Sequence, residues 1–352
     1  MNRSQTIVIL GGGVGGVVCA VELRKKLPKQ HRIVLVDREE RHLFAPSLLW
    51  LMIGQRTAEK ISRPLDRLRK KGIDVMRGEI QHIEPAERHV TVSGESITAD
   101  HLIISLGADL APETIPGLAE AGHNFYTLEG AESLRDALGR FRSGKLAVLT
   151  AAPAYKCPAA PYEAAMLLEY HCRKQKIREQ VQIDFYAAEP GPADDRKLTF
   201  ANGAQADFDL LAYVPPHRPP RVVNEAGLVG DSGWVSVDRH TMETEYPGVY
   251  ALGDVVGIPL AVGKPLPKAG VFAHGEAVVV AQNIVRSITG KAEPARFDGH
   301  GECFIETGDG KAGFGRGNFY SEPLPQIKLH KVGRRWHAGK ILFEKDWLRR
   351  WF

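Results

Sequence analysis

The sequence predicts an α/β protein built on parallel sheets, and three observations carry that prediction. Residues 6 to 37 read as strand, glycine-spaced turn, helix and second strand. A second apolar strand, Leu146-Ala147-Val148-Leu149-Thr150, leads through a turn without glycines into a helix with apolar residues at a period of about 3.6. A third strand ends in Gly253-Asp254 and is followed by another helix. Together they describe two Rossmann-like dinucleotide-binding domains, the second abbreviated, and a small C-terminal α+β region. The expected units are residues 1–110 (first part of the cofactor domain), 111–232 (second domain), 233–295 (second part of the first) and 296–352 (C-terminal region).

A chain of 352 residues that is 43% hydrophobic is too long for one small core. Its 46 Lys and Arg against 42 Asp and Glu, net +4, are too balanced to argue for nucleic acid. The excess is concentrated at the end, where Lys328, Lys331, Arg334, Arg335, Lys340, Lys345, Arg349 and Arg350 face only Glu344 and Asp346. No apolar run reaches the roughly 18 to 20 residues of a spanning helix. Ile7 to Leu10 is too short for a secretory signal, so membrane contact is expected to be peripheral. Cys19, Cys157, Cys172 and Cys303 lie far apart, which argues against a zinc site and a disulfide scaffold but leaves one catalytic disulfide open.

Each element has a reason. Thr6 to Leu10 is a strand; Gly11 makes the tight turn, Gly13 lets a pyrophosphate approach and Gly16 lets helix pack on strand. Arg32 to Asp37 follows, with Asp37 placed to accept from a ribose hydroxyl and Arg38 grouped with it. Cys19 reads as a small buried residue and His42 as structural. Pro46 is placed either in the core or against a flavin ring. The strands Ile73 to Val75, Arg88 to Val92 and His101 to Leu106 complete this half, and Gly107 allows a close crossing of nucleotide. A linker, Ala111 to Gly117, opens a second unit with helix Glu129 to Arg142, strand Leu146 to Thr150, helix Pro161 to Lys174 and strand Val181 to Tyr186. After Glu189 a full unit requires another helix and strand, about 30 to 40 residues. Only a β-like pair, Arg196 to Phe200 and Ala206 to Tyr213, stands there, so the domain is abbreviated or the numbering closes over lost residues.

Four further features carry chemistry. Cys157 lies just before a helix start, whose partial positive charge favours thiolate. Asp254 is placed to accept from the ribityl hydroxyls of a flavin. The helix opening at Gly270 aims its N-terminus at the same site, where Lys268 adds charge or is simply an exposed lysine. Cys303 sits in an alternating β stretch; alone it reads as buried, but beside Cys157 the two read as a pair across the flavin. Cys172 looks incidental, on a polar helix face. The aromatic and basic segment Trp336 to Phe352 suits a membrane interface or a terminal helix docked on the body.

The motifs Gly11-x-Gly13-x-x-Gly16, Phe44-x-Pro46-Ser47, Leu106-Gly107, Cys157-Pro158-Ala159-Ala160-Pro161-x-Glu163, Gly253-Asp254, Pro267-Lys268-x-Gly270 and Cys303 resemble those of sulfide:quinone oxidoreductases. That family lies within the FAD-dependent pyridine nucleotide-disulfide oxidoreductase superfamily. The resemblance implies FAD as cofactor, and Cys157 and Cys303 as a disulfide or sulfur-bridged pair beside the isoalloxazine. Sulfide attack leaves a persulfide and a thiolate, with Cys303 as the thiolate nearer the flavin and Glu163 matching an acid associated with proton relay. Electrons then pass through FAD to a membrane quinone, and sulfur leaves as polysulfide. The resemblance also implies peripheral attachment at the cytoplasmic (inner) membrane through the C-terminal tail, on a face left open, with a homo-oligomer open too. Two departures stand out. Tyr126 occupies the place of a third family cysteine, which excludes a cysteinyl link to FAD there, and the shortened stretch after Glu189 omits any histidine or loop supplied by that region. The rivals are a type II NADH:quinone dehydrogenase, the flavoprotein of a flavocytochrome c-type sulfide dehydrogenase, and a flavin-binding protein without turnover. The first requires a glycine turn that Ala151-Ala152-Pro153-Ala154 lacks; the tail and the absent export signal lean against the second.

Overall fold

The computed structural model describes residues 3–153, 155–187, 193–194, 197–291 and 293–352. Its first sheet has five parallel strands in the order Val249–Ala251, His101–Ile104, Thr6–Leu10, Arg32–Asp37 and Asp74–Arg77. Thr6–Leu10 lies at the centre, and Ile7, Val8, Ile9 and Leu10 are fully buried. Covering on both faces explains why this strand is continuously apolar rather than alternating. The helices Val14–Lys26 and Gly270–Thr289 pack on each other beside it.

The second sheet is parallel as well, in the order His123–Asn124, Leu210–Val214, Gly144–Thr150 and Val181–Tyr186. Its first helix, Leu128–Arg140, is capped by Thr127, whose hydroxyl accepts from the Gly130 N–H at 3.0 Å. Its second, Ala160–Lys174, carries Pro161 in the first turn, where the missing N–H is harmless. Cys172 corrects its expected place: it is fully buried among Leu167, Leu168 and Ala164, because its helix is covered on that side. From Tyr186 the chain reaches Leu210 through short antiparallel strands, including Lys197–Thr199 and Gln205–Asp207, with no helix among the described residues. The expected break after Glu189 and the start of the predicted pair at Arg196 fall outside the described residues.

The C-terminal region is an antiparallel sheet of His300–Gly308, Lys311–Asn318 and Gln326–Gly333, followed by the helix Arg334–Arg350. The tail departs from its membrane reading on one side. Trp347, Leu348 and Trp351 are buried in the core of the first domain. The indole N–H of Trp347 donates to His42 Nε2 at 3.1 Å, and His42 Nδ1 bonds the Gly12 carbonyl at 2.9 Å. Burial outweighs the electrostatic cost of the flanking arginines because the guanidinium groups stay at the rim. The opposite side leaves Leu342 and Phe343 in solvent, as the outer strand leaves Ile327, Leu329 and Val332. No helix among the described residues is long and apolar enough to cross a membrane.

Candidate functional site

The glycine turn has the shape its spacing predicts. Gly11 adopts φ +102°, and a Cβ there would overlap the Ser105 carbonyl oxygen. A Cβ on Gly16 would overlap the Gly11 oxygen, so helix and turn touch through backbone alone. At Gly13 nothing lies within 4 Å of a Cβ, and the helix that follows has no side-chain cap and no acid in its first turn. The first-turn N–H groups are thus left without a side-chain cap beside an open position, the arrangement an anionic pyrophosphate requires. Asp37 Oδ2 accepts from the Gly12 N–H and Oδ1 from Glu39 at 2.7 Å, which holds the carboxylate beside the turn with acceptor capacity left. Arg38 is on the surface near Glu39 and Glu79. Pro46 and Gly107 border open space, Gly107 at φ +67°. The Asp254 carboxylate accepts no hydrogen bond among the described residues. The helix at Gly270 also starts without a side-chain cap. This donor and acceptor set fits FAD.

Lys268 is neither exposed nor idle. Its Nζ donates to the carbonyls of Asp254 (2.7 Å) and Val256 (2.8 Å) and sits 3.4 Å above the Trp234 ring. Burial pulls its pKa down to about 8. The Lys268 carbonyl in turn accepts from the Cys157 N–H at 2.6 Å. One residue thus ties the Gly253-Asp254 turn to the cysteine turn.

Cys157 has a left-handed backbone, φ +50°. The thiolate expected from the helix start is overruled: burial pushes this thiol up, with the Glu163 and Cys303 charges adding and Lys340 opposing. The terminus acts weakly because the helix begins three residues on, with Ala159 as its cap. Cys303 lies on the edge strand His300–Gly308, opposite Gly315. The residue is exposed rather than buried as it reads alone, because it stands on a sheet edge, yet burial around the sulfur and the Glu163 charge push its thiol up to about 12. Both cysteines are free thiols, and each lies within electrostatic reach of Glu163 and Lys340.

Glu163 is only 2% exposed. Its Oε1 accepts from the Glu306 backbone N–H at 2.8 Å and from Lys340 Nζ at 3.0 Å. Burial alone would lower the Lys340 pKa, but Glu163 and Glu306 outweigh it and raise it, so the ammonium stays charged. Glu306 Oε2 pairs with His337 Nδ1 at 2.8 Å, and the His337 side chain is 24% exposed. Ionisable groups therefore run from the two sulfurs to solvent. Further along the helix Glu344 accepts from Ser47 at 2.6 Å and from Arg56 at 2.9 Å. Charge counting along the sequence places Lys340 and Glu344 in a cationic tail and passes over Glu306 and His337. The available signal is spacing: His337, Lys340 and Glu344 at three and four residues share one helix face.

Comparison with known proteins agrees with this architecture. The family profile described as pyridine nucleotide-disulphide oxidoreductase matches residues 5–149. The chain is 27% identical to the sulfide-quinone reductase of Aquifex aeolicus, over 98% of this chain and 90% of that one. It is 26% identical to the mitochondrial sulfide:quinone oxidoreductase of Dictyostelium discoideum, over 92% of this chain and 81% of that one. The X-ray structure of the Aquifex aeolicus sulfide:quinone oxidoreductase superposes with a TM-score of 0.89 at 26% identity, covering 99% and 91% of the two chains. The chain is thus similar over nearly its whole length to sulfide:quinone oxidoreductases, and its residues 5–149 match the pyridine nucleotide-disulphide oxidoreductase family of FAD-dependent enzymes.

Proposed function

We propose that this flavoprotein oxidises sulfide to sulfur or polysulfide through Cys157 and Cys303 and passes the electrons to a membrane quinone. The observation that carries the reading is two free thiols that share the buried Glu163–Lys340 pair. When the thiols are oxidised to a disulfide, hydrosulfide attacks one sulfur, giving a persulfide on one cysteine and a thiolate on the other with no net change of oxidation level. Closing the pair again releases zero-valent sulfur and two electrons. Bound FAD supplies the acceptor for that electron pair. The buried Lys340 ammonium stabilises the thiolate, because opposite charges attract strongly where water is excluded. Glu163 fixes Lys340 and offers a carboxylate to the proton leaving hydrosulfide, with Glu306 and His337 continuing toward solvent. Residues Gly11, Gly13, Gly16, Asp37 and Asp254 hold the cofactor in this reading, with Pro46, Gly107, Lys268 and Gly270 beside it and Arg38 at the rim.

We assign the membrane contact to the outward residues of the outer strand and last helix, Ile327, Leu329, Leu342 and Phe343, interleaved with Lys328, Lys331 and Lys345. That composition suits an anionic lipid surface. Anaerobic titration of the purified yellow protein tests the chemistry. Sulfide is expected to bleach the flavin in the wild type and to fail in Cys157→Ser, while NADH leaves the flavin oxidised in both. Prompt bleaching by NADH with no response to sulfide would replace this reading with that of an NADH dehydrogenase.

A further inference from the structure

Cys157 is held in a backbone region that L-residues seldom adopt. Its φ of +50° suits glycine, and the position cannot be glycine if the thiol is to serve. Such a conformation persists only where the surroundings over-determine it, and three contacts do so here. The Cys157 N–H is anchored on the Lys268 carbonyl at 2.6 Å. Its carbonyl accepts from the Ala160 N–H at 2.9 Å, closing the turn into the helix. The third contact comes from Tyr126, whose single hydroxyl is shared between the carbonyls of Lys156 (2.9 Å) and Cys157 (3.1 Å).

Tyr126 is itself well fixed. Its ring meets Phe125 at 5.2 Å and His217 nearly perpendicularly at 5.8 Å, and its N–H donates to Asn124 Oδ1 at 3.0 Å. Burial, and then the charges of Cys157, Tyr155, Glu163 and Asp254, raise its pKa well above that of free tyrosine, so it stays a neutral donor. The phenol thus stands among the sulfur turn, the buried acid and the Gly253-Asp254 turn, and the proton it holds is aimed at backbone.

We propose that Tyr126 is a positioning residue for Cys157: its hydroxyl clamps the Lys156 and Cys157 carbonyls and so fixes where the thiol points. The clamp is a matter of geometry, while its effect on turnover rests on the sulfide reading above. Two measurements on FAD-loaded protein separate the two. In anaerobic stopped flow, Tyr126→Phe is expected to slow flavin bleaching by sulfide about tenfold, since small misplacements of a reacting group are costly. Reoxidation by a soluble quinone should keep its wild-type rate. Replacing Tyr126 with 4-aminophenylalanine, which keeps a donor at the same reach, should restore bleaching. Independently of turnover, mass-spectrometric labelling with N-ethylmaleimide should find Cys157 about fivefold faster in Tyr126→Phe, because the turn opens more often, with Cys303 unchanged. A wild-type value in either measurement overturns the proposal. If sulfide does not bleach the wild-type flavin, the sulfide reading falls and the labelling comparison alone decides the clamp. Should Tyr126→Phe fail to fold, the 4-aminophenylalanine protein decides: labelling of its Cys157 at the wild-type rate supports the clamp, and faster labelling overturns it.

Discussion

At the scale of single residues, the most consequential groups are those whose protonation the fold has moved. Glu276 is 1% exposed and accepts from the Gly253 N–H at 2.7 Å. Burial, with the Asp254 charge adding, raises its pKa to about 7. A raised carboxylate binds its proton more tightly in the native state than in the unfolded chain. Its contribution is therefore complete below the unfolded pKa of about 4.5 and is lost as pH climbs through about 7. The loss amounts to about 3 kcal/mol, because each tenfold gain in proton affinity is worth about 1.4 kcal/mol. Urea melts of the apoprotein at pH 5 and pH 7.5 check this: Glu276→Gln should be more stable than the wild type at pH 7.5 by about 2 kcal/mol more than at pH 5. An equal difference at both pH values would mean that Glu276 does not titrate in this window. The contrast with Cys157 shows which residue properties a sequence carries. Gly11 and Gly16 were legible because their roles follow from local spacing, and both are pressed against backbone oxygen. The protonation of Cys157 was not, because the argument from a helix start is local, while the burial that overrules it and the Cys303 charge that adds to it arise only once the chain has folded.

At the scale of elements, the C-terminal helix works as a strut. Its Lys340 crosses to Glu163 on the cysteine-turn helix, and its Glu344 crosses to Arg56 and Ser47. Removing one partner of a buried ion pair strands the other charge, so Lys340→Met should lower stability by about 3 to 5 kcal/mol. Adding Glu163→Gln removes the stranded carboxylate and should recover most of that loss. A denaturation double-mutant cycle measures the coupling, and additive effects would show that the two side chains stabilise independently. Helix limits were readable to within a residue or two: Glu129 to Arg142 became Leu128–Arg140, and Pro161 to Lys174 became Ala160–Lys174. The face each helix buries was harder to read. Cys172 has polar neighbours in sequence but apolar ones in space, and the terminal indoles look interfacial until His42, Phe44 and His274 are present to cover them.

At the scale of the whole molecule, burying Trp347 and Trp351 leaves a different set of apolar side chains outward. Leu329 is 73% and Leu342 67% exposed, and both lie beside lysines. Sedimentation with anionic lipid vesicles should show Leu329→Asp combined with Leu342→Asp lowering partition at least tenfold, since each buried leucine contributes roughly 1.5 to 3 kcal/mol. Bleaching by sulfide in solution should be unchanged, and unaltered partition would move the contact to another face. The doubly wound plan was visible from the order of motifs. The hydrogen-bonded step from Trp347 through His42 to Gly12 was not, because its partners lie 305 and 30 residues apart. That step has a thermodynamic corollary. If the glycine turn receives the nucleotide as proposed, a docked tail steadies it, and by reciprocity an occupied turn must grip the tail more firmly. Proteolytic nicking near the end of the chain and bleeding of yellow colour from the protein are then two faces of one equilibrium.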